Sequence, residues 1–464
     1  CLDADTDIES WARQLNLRGH EKEALNIFNK IFPNGKTHNY LNKFLIQLAK
    51  EADHYSSSFD RWITHIEEFI TDKNHKNIIF EYYNFHNIFS PSNYVIYVKN
   101  LDEKVLCDKI KKWVARISGL TNSVDNIELI YHLVYASAEL AWIKEDLPPP
   151  LAETRVPTHT IFDHLYAAAM TVNWLWEDRQ NSKETSSRPF SLMPKGYYVV
   201  IDIPGVSKIL EASRKAGDFW AGSWLVSALM WLTAWSYIKL YGPDILLTPT
   251  ARFNPFYYEF LRLWLEKENK KQIADKLIQL YEDVIAMAVG AKKGVKLSYL
   301  LRHAIIPATI TLALPKKENI EKIEELEEEI LQNFNQAYQC IIHGLVLGDE
   351  RNIECTDEIV KKFIETWKSQ IDENILKPVK SILYEIQPHL FEQLLIPRIV
   401  IIDIEEIYTK LQNIITGQSK ETIDNISYET YQKFLKFLKN FKKLKSNSEE
   451  IDEDMISKYL LFHV

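Results

Sequence analysis

Glycine is scarce in this chain and cysteine scarcer: 13 and 4 in 464 residues. Few glycines, set against abundant Leu, Ile, Lys and Glu, favour helix over strand. Cys1, Cys107, Cys340 and Cys355 are scattered, with no CxxC pair. That spacing excludes a zinc ribbon, shows no disulfide framework, and predicts buried, reduced thiols in a cytosolic protein. Net positive charge is missing as well. A formal charge of −9 excludes wrapping naked nucleic acid by bulk attraction, so any such contact must be local or shared with partners. No secretory leader precedes the first polar helix, and the first residue is Cys, which predicts a fragment or processed chain.

What is present allows a large core. Hydrophobic residues make up 46% of the chain and aromatics 12%, and the length predicts about three domains. Residues 5–32 have helical spacing broken near Gly19, and Asn39 to Asp53 is a second helix with Leu41, Phe44, Leu45 and Leu48 as its stripe. A third helix spans Trp62 to Ile70. Tyr82 to Val98 is aromatic and Asn-rich, with strand pairing of Tyr94 to Val98 left open. Helical spacing returns over 106–117, 124–143 and 160–177, and the polar, Ser-rich run Arg179 to Pro189 is a linker.

The most structured stretch runs from Tyr197 to Thr250. Tyr197 to Ile203 is β-branched and aromatic, which suits a strand, and Pro204-Gly205 ends it. Val206, Ile209, Leu210, Ser213, Ala216 and Trp220 then form one face of a helix extending to Ile238, which predicts Trp220 buried against a sheet. From Phe219 to Ile238 there is no charge, but the spread of tryptophans and small polar residues indicates a buried core helix instead of a membrane span. Gly242-Pro243 stops it, and Asp244 to Thr248 and Ala308 to Leu314 are further strands. A helix from Glu318 to Tyr338, striped by Ile320, Ile323, Leu326, Ile330, Phe334 and Ala337, follows.

Three blocks carry a resemblance. Gly205-Val206, Ser213-Arg214-Lys215, Asp218, Trp220 to Ser223 and Gly242-Pro243-Asp244 fall in the register of the first palm domain of the large subunit of Cmr-type, type III CRISPR effector complexes. Ala152 to His164 (AETRVPTHTIFDH) and Ala52 to Trp62 (ADHYSSSFDRW) resemble two segments of that family's permuted HD-type nuclease domain.

The resemblance implies an α+β, helix-rich chain: a helical HD-like domain over 1–178, a linker over 179–195, a ferredoxin-like palm over 196–340, and a helical interpalm domain over 341–464. It implies a cytoplasmic protein without membrane contact, working with other CRISPR subunits, crRNA and target RNA. ATP and a divalent metal, Mg or Mn, would be the cofactors of the complete protein. Gly205, Ser213, Arg214, Lys215, Asp218 and Ser223 would face nucleotide, and each is equally suited to capping or solvent. Asp53, His164 and His20 would be metal ligands. The alternative for them is ordinary structure, with His159 and His164 as helix-start and core histidines and Asp53 capping or paired with Arg61. No catalytic residue is assigned. The family's His-Asp dyad and its Gly-Gly-Asp-Asp turn have no counterpart here, so an incomplete enzyme or a non-catalytic scaffold docking neighbouring subunits and RNA is expected. Lys433, Lys436, Lys439, Lys442, Lys443 and Lys445 offer an RNA contact or a solvated face.

Overall fold

The computed structural model describes residues 20–32, 43–62, 82–86, 93–97, 102–148, 160–181, 192–211, 213–291, 294–317, 322–341, 344, 355–369 and 395–415. Helices dominate, and the chain divides into two compact units. One comprises 1–114, 145–197 and 402–464, the other 115–144 and 198–401.

The first unit is built on a helical pair. Helices α1 (His20–Ile31) and α2 (Lys43–Trp62) are followed by a hairpin of β1 (Tyr82–His86) and β2 (Asn93–Tyr97), antiparallel with Tyr82 opposite Tyr97. The strand pairing left open by sequence is therefore present. Helix α2 does not stop at Asp53: it runs on because Ala52, Tyr55 and Ser56 continue its buried face. Its partner is a helix over Ile161–Asn181. Leu48, Ala52, Tyr55, Leu175 and Leu192 form the shared core, and the Tyr55 hydroxyl donates to the Leu192 carbonyl at 2.8 Å.

Helices α3 (Glu103–Thr121), α4 (Ile127–Lys144) and α5 (Ile161–Asn181) come next in the chain. Sequence placed α4 with the first domain, but it falls in the second unit. The bidentate pair Arg252–Glu139 and the bond from Tyr258 to the Ala136 carbonyl show why: α4 is buried on nearly every side against the residues that follow the sheet's second strand.

The second unit holds a four-stranded sheet: β3 (Gly196–Asp202), then helices α6 (Val206–Glu211) and α7 (Ala216–Tyr241), β4 (Leu246–Thr248), helices α8 (Pro255–Lys267), α9 (Lys271–Ala288) and α10 (Leu297–Leu300), β5 (Thr309–Pro315), helices α11 (Ile323–Ile341) and α12 (Glu358–Lys368), and β6 (Arg398–Asp403), which leads into α13 (Ile404–Ile415). The spatial order is β4-β5-β3-β6, with β4 antiparallel to β5. The three strands expected in one sheet are there, the second starting at Leu246 because Pro243–Ile245 forms a single 3-10 turn.

The fourth strand, β6, lies in a region that sequence gave to helices. Its RIVIID run has strand composition, but neither face is deeply buried, so no periodic stripe marked it. The helical stripe of α11 stands, with Leu326, Ile330, Phe334 and Ala337 buried, while Ile320 lies outside the described residues. The helix expected over 428–441, with its lysines, also lies outside them.

Two further expectations fail. Cys340 and Cys355 are joined in a disulfide between α11 and the start of α12, so they are not reduced thiols. The long helix from Val206 is two helices. Asp218 accepts the backbone N–H groups of Arg214 and Lys215, both at 3.2 Å, and starts a new helix at Ala216 with its own rotation. Trp220 is therefore 44% exposed, and Trp224, at 5%, turns inward. From Trp224 to Ile238 α7 is buried almost all round, packed among Phe256, Phe260 and Phe363. No helix of the described residues is long and apolar enough to cross a membrane.

Candidate functional site

In the first unit Asp163 closes the start of α5. Its carboxylate accepts from the Thr160 N–H at 2.7 Å and the Thr160 hydroxyl at 2.8 Å. With that turn fixed, the next residue, His164, points inward and is 7% exposed. Its Nε2 lies 2.9 Å from Oδ1 of Asp53 on α2, so the two residues matched to the metal blocks do meet across two helices. His164 Nδ1 lies 3.2 Å from the Ser56 hydroxyl, which donates its own proton to the His164 carbonyl at 2.7 Å. Each ring nitrogen of His164 thus faces one polar group, Asp53 on one side and Ser56 on the other. Among the described residues no group of three His, Cys, Asp or Glu side chains could hold an ion, so these residues do not fit the metal that the HD resemblance implies. His20 is the first residue of α1, and its side chain lies outside the described residues.

In the second unit Arg214, Lys215 and Asp218 come together at the start of α7. Gly205 sits in the exposed turn after β3 with φ of +77°, a left-handed conformation that favours glycine. The roles divide on inspection of the bonds. Asp218 is occupied by the backbone of Arg214 and Lys215, the Ser213 N–H donates to the Leu210 carbonyl at 3.1 Å, and the Ser223 hydroxyl turns to its own helix at the Phe219 carbonyl, 2.9 Å away. Arg214 and Lys215 remain exposed, with no ion pair among the described residues. Asp202, at the end of β3, accepts from the Thr309 hydroxyl at 2.6 Å.

Sequence reasoning missed the buried polar centre around Gly242-Pro243-Asp244. Asp244 is 5% exposed, its Oδ1 accepts from the Tyr131 hydroxyl, and its Oδ2 has no hydrogen-bond partner. Burial pushes this carboxyl up to about 6, the Tyr131 bond opposing. Burial likewise raises the Tyr131 phenol well above its usual value, and lowers His132 next to it to about 3. Gly242, at φ +101°, has room for no side chain: a Cβ there would stand 2.7 Å from the Tyr131 ring. Only the glycine before a proline signalled this in the sequence.

Comparison with known proteins gives the context. Residues 198–343 match the family model described as CRISPR-associated protein Cmr2, N-terminal. The CRISPR system CMR subunit Cmr2 of Saccharolobus solfataricus is 32% identical over 347 residues, covering 71% of this chain and 30% of that protein. The Cmr2 subunit of Pyrococcus furiosus is 23% identical over 262 residues, covering 49% of this chain and 25% of that one. Among solved structures, a chain of the apo type III-B Cmr-beta complex superposes with TM-score 0.55 at 26% identity, covering 85% of this chain and 35% of its own length. The same complex bound to cognate target RNA gives 0.51 at 27%, covering 85% and 36%. The chain thus spans less than a third of the curated relatives it matches. It is similar, over part of their length, to the large subunits of Cmr-type, type III CRISPR effector complexes.

Proposed function

We propose that this chain forms the amino-terminal and central part of the large subunit of a type III CRISPR RNA-guided antiviral effector complex, with other subunits, crRNA and target RNA as its partners in the cytoplasm. The four-stranded sheet is then the first palm. Its strand-helix-strand, strand-helix-strand sequence with spatial order second, third, first, fourth is that of a ferredoxin-like fold. This order is the observation that carries the reading, and the match over 198–343 supports it.

The palm helps bind ATP, which supplies the adenylyl groups of cyclic oligoadenylates. Arg214 and Lys215 are the groups that can meet phosphate oxygens, and Gly205 leaves the turn after β3 open to a close approach. Ser213, Asp218 and Ser223 act on the protein itself, shaping the start of α7 that presents those cations. The first unit is read as HD-like in descent but as a scaffold in action. The observation favouring that second reading is the closed Asp53–His164–Ser56 set.

The test is ATP conversion by an effector complex reconstituted with this subunit, crRNA and target RNA. Arg214→Ala with Lys215→Ala should raise the KM for ATP about tenfold or more, as expected for loss of charge-assisted phosphate contacts of about 1.5 to 3 kcal/mol each. An unchanged KM would remove the palm from the nucleotide site.

A further inference from the structure

The first turns of α7 keep large rings in solvent. Phe219 is 52% exposed, Trp220 44%, and Tyr299, on α10, 59%. Three side chains along α7 hold the segment after α10 by its carbonyls, which brings the end of α10 to the first turns of α7. Trp220 Nε1 donates to Arg302 at 2.6 Å, Trp224 Nε1 to Leu301 at 2.8 Å, and the Ser227 hydroxyl to Ile306 at 2.6 Å. The Tyr299 ring stands edge-on to His303, 5.1 Å away. Trp220 thus has its one polar atom satisfied on the backbone while much of its apolar ring stays open, which is the form of a stacking platform.

Exposed cations accompany these rings. Among the described residues Lys109, Lys144, Lys239, Arg262 and Lys317 are held in ion pairs. Arg214, Lys215 and Arg302 are exposed and form no ion pair among the described residues. The carboxylates of Asp202 and Asp218 accept from a hydroxyl and from backbone amides, and Glu211 is exposed.

We infer that this face, with Phe219, Trp220 and Tyr299 as platforms and Arg214, Lys215 and Arg302 as phosphate contacts, docks single-stranded RNA. Base faces stack on rings whatever the sequence, and the phosphates meet the cations. Duplex RNA carries the same charge but seals its base faces, so charge and rings together select the single strand. The inference rests on RNA being a partner of the chain. It shares Arg214 and Lys215 with the nucleotide reading, and Phe219, Trp220, Tyr299 and Arg302 are its own.

The probe is a fluorescein-labelled single-stranded RNA of twelve nucleotides, titrated with the 464-residue chain and followed by anisotropy. Phe219→Ala with Tyr299→Ala removes two exposed rings and should leave the circular dichroism and melting unchanged. It should weaken RNA binding about tenfold or more, on the scale of one stacked base per ring. Arg214→Ala with Arg302→Ala should reduce the slope of log affinity against log salt by about 1.4, at about 0.7 per lost phosphate contact on a single strand. A duplex of equal length should compete poorly. Absent RNA binding, unchanged affinity in the ring variant, or equal competition by duplex overturns the inference. If excess ATP displaces the RNA and the ring variant loses ATP binding to the same degree, the rings belong to a free-nucleotide pocket, and the strand is again overturned. ATP conversion by the whole complex is read separately, so either reading can fail alone.

Discussion

Trp220 and Trp224 are one helical turn apart and should respond to mutation very differently. Trp224 is 5% exposed, lies 4.4 Å from the Trp367 ring between centroids, and donates its indole proton to the Leu301 carbonyl. Removing it opens a core cavity, and Trp224→Ala should cost about 3 to 5 kcal/mol in chemical denaturation. Trp220→Ala should cost about 1 kcal/mol, the usual net worth of its bond to Arg302. Asp244 provides a second prediction at this scale. A buried carboxyl raised from 3.8 to about 6 holds its proton better in the folded state than in the unfolded one. Folding stability is then greatest below about pH 4 for this group and falls as pH rises toward and past 6, by about 3 kcal/mol for a shift of about two units. Asp244→Asn should flatten that part of the pH dependence. Parallel stability curves for the two proteins between pH 4 and 7 would show that the carboxyl is not held in this way.

At the scale of elements, the break between α6 and α7 and the link between α11 and α12 can each be tested. Asp218→Ala removes the acceptor of two backbone amides, and the start of α7 should fray at a cost of about 1 kcal/mol, seen as faster amide exchange in its first turn. Reducing Cys340–Cys355, which closes a separation of 15 residues, should lower stability by about 3 kcal/mol in a melt run with and without reductant. These two features also mark where the sequence was hard to read. Strands β3 and β5 and the stripe of α11 follow from local pattern, since Val199 and Ile201 are buried in alternation with their neighbours and Ile310 to Leu314 are buried as one continuous apolar run. The break at α7 is not a pattern of hydrophobicity: it depends on one carboxylate choosing two amides, and it rotated Trp220 out of the stripe that Val206 and Leu210 began. Strand β6 joins the sheet beside β3, nearly two hundred residues before it, and α4 is drawn to the second unit by Arg252, more than a hundred residues downstream, so neither placement is written in its own neighbourhood. At the candidate sites, Asp53 and His164 were found by motif, whereas Arg302 carries no motif and enters the inference only through the bond that places its carbonyl on Trp220.

At the scale of the whole molecule, the question is what the two units can do without further chain or partners. Joining two adenylates needs carboxylates that hold metal ions at the attacking hydroxyl and the phosphates. The sheet's unit presents Arg214 and Lys215, but Asp202 and Asp218 beside them are committed to Thr309 and to the backbone. In the other unit Asp53 is held by His164, whose second nitrogen is held by Ser56. Cations are thus free to meet a phosphate where acids are not free to meet a metal. The chain alone should therefore bind ATP through charge, with an affinity that falls as salt rises, and release no pyrophosphate when magnesium or manganese is added. The measurement is a pyrophosphate-release assay beside ATP binding across a salt series. Release that is lost on Asp202→Asn would show that the Thr309 bond gives way and that this sheet's unit carries a metal of its own.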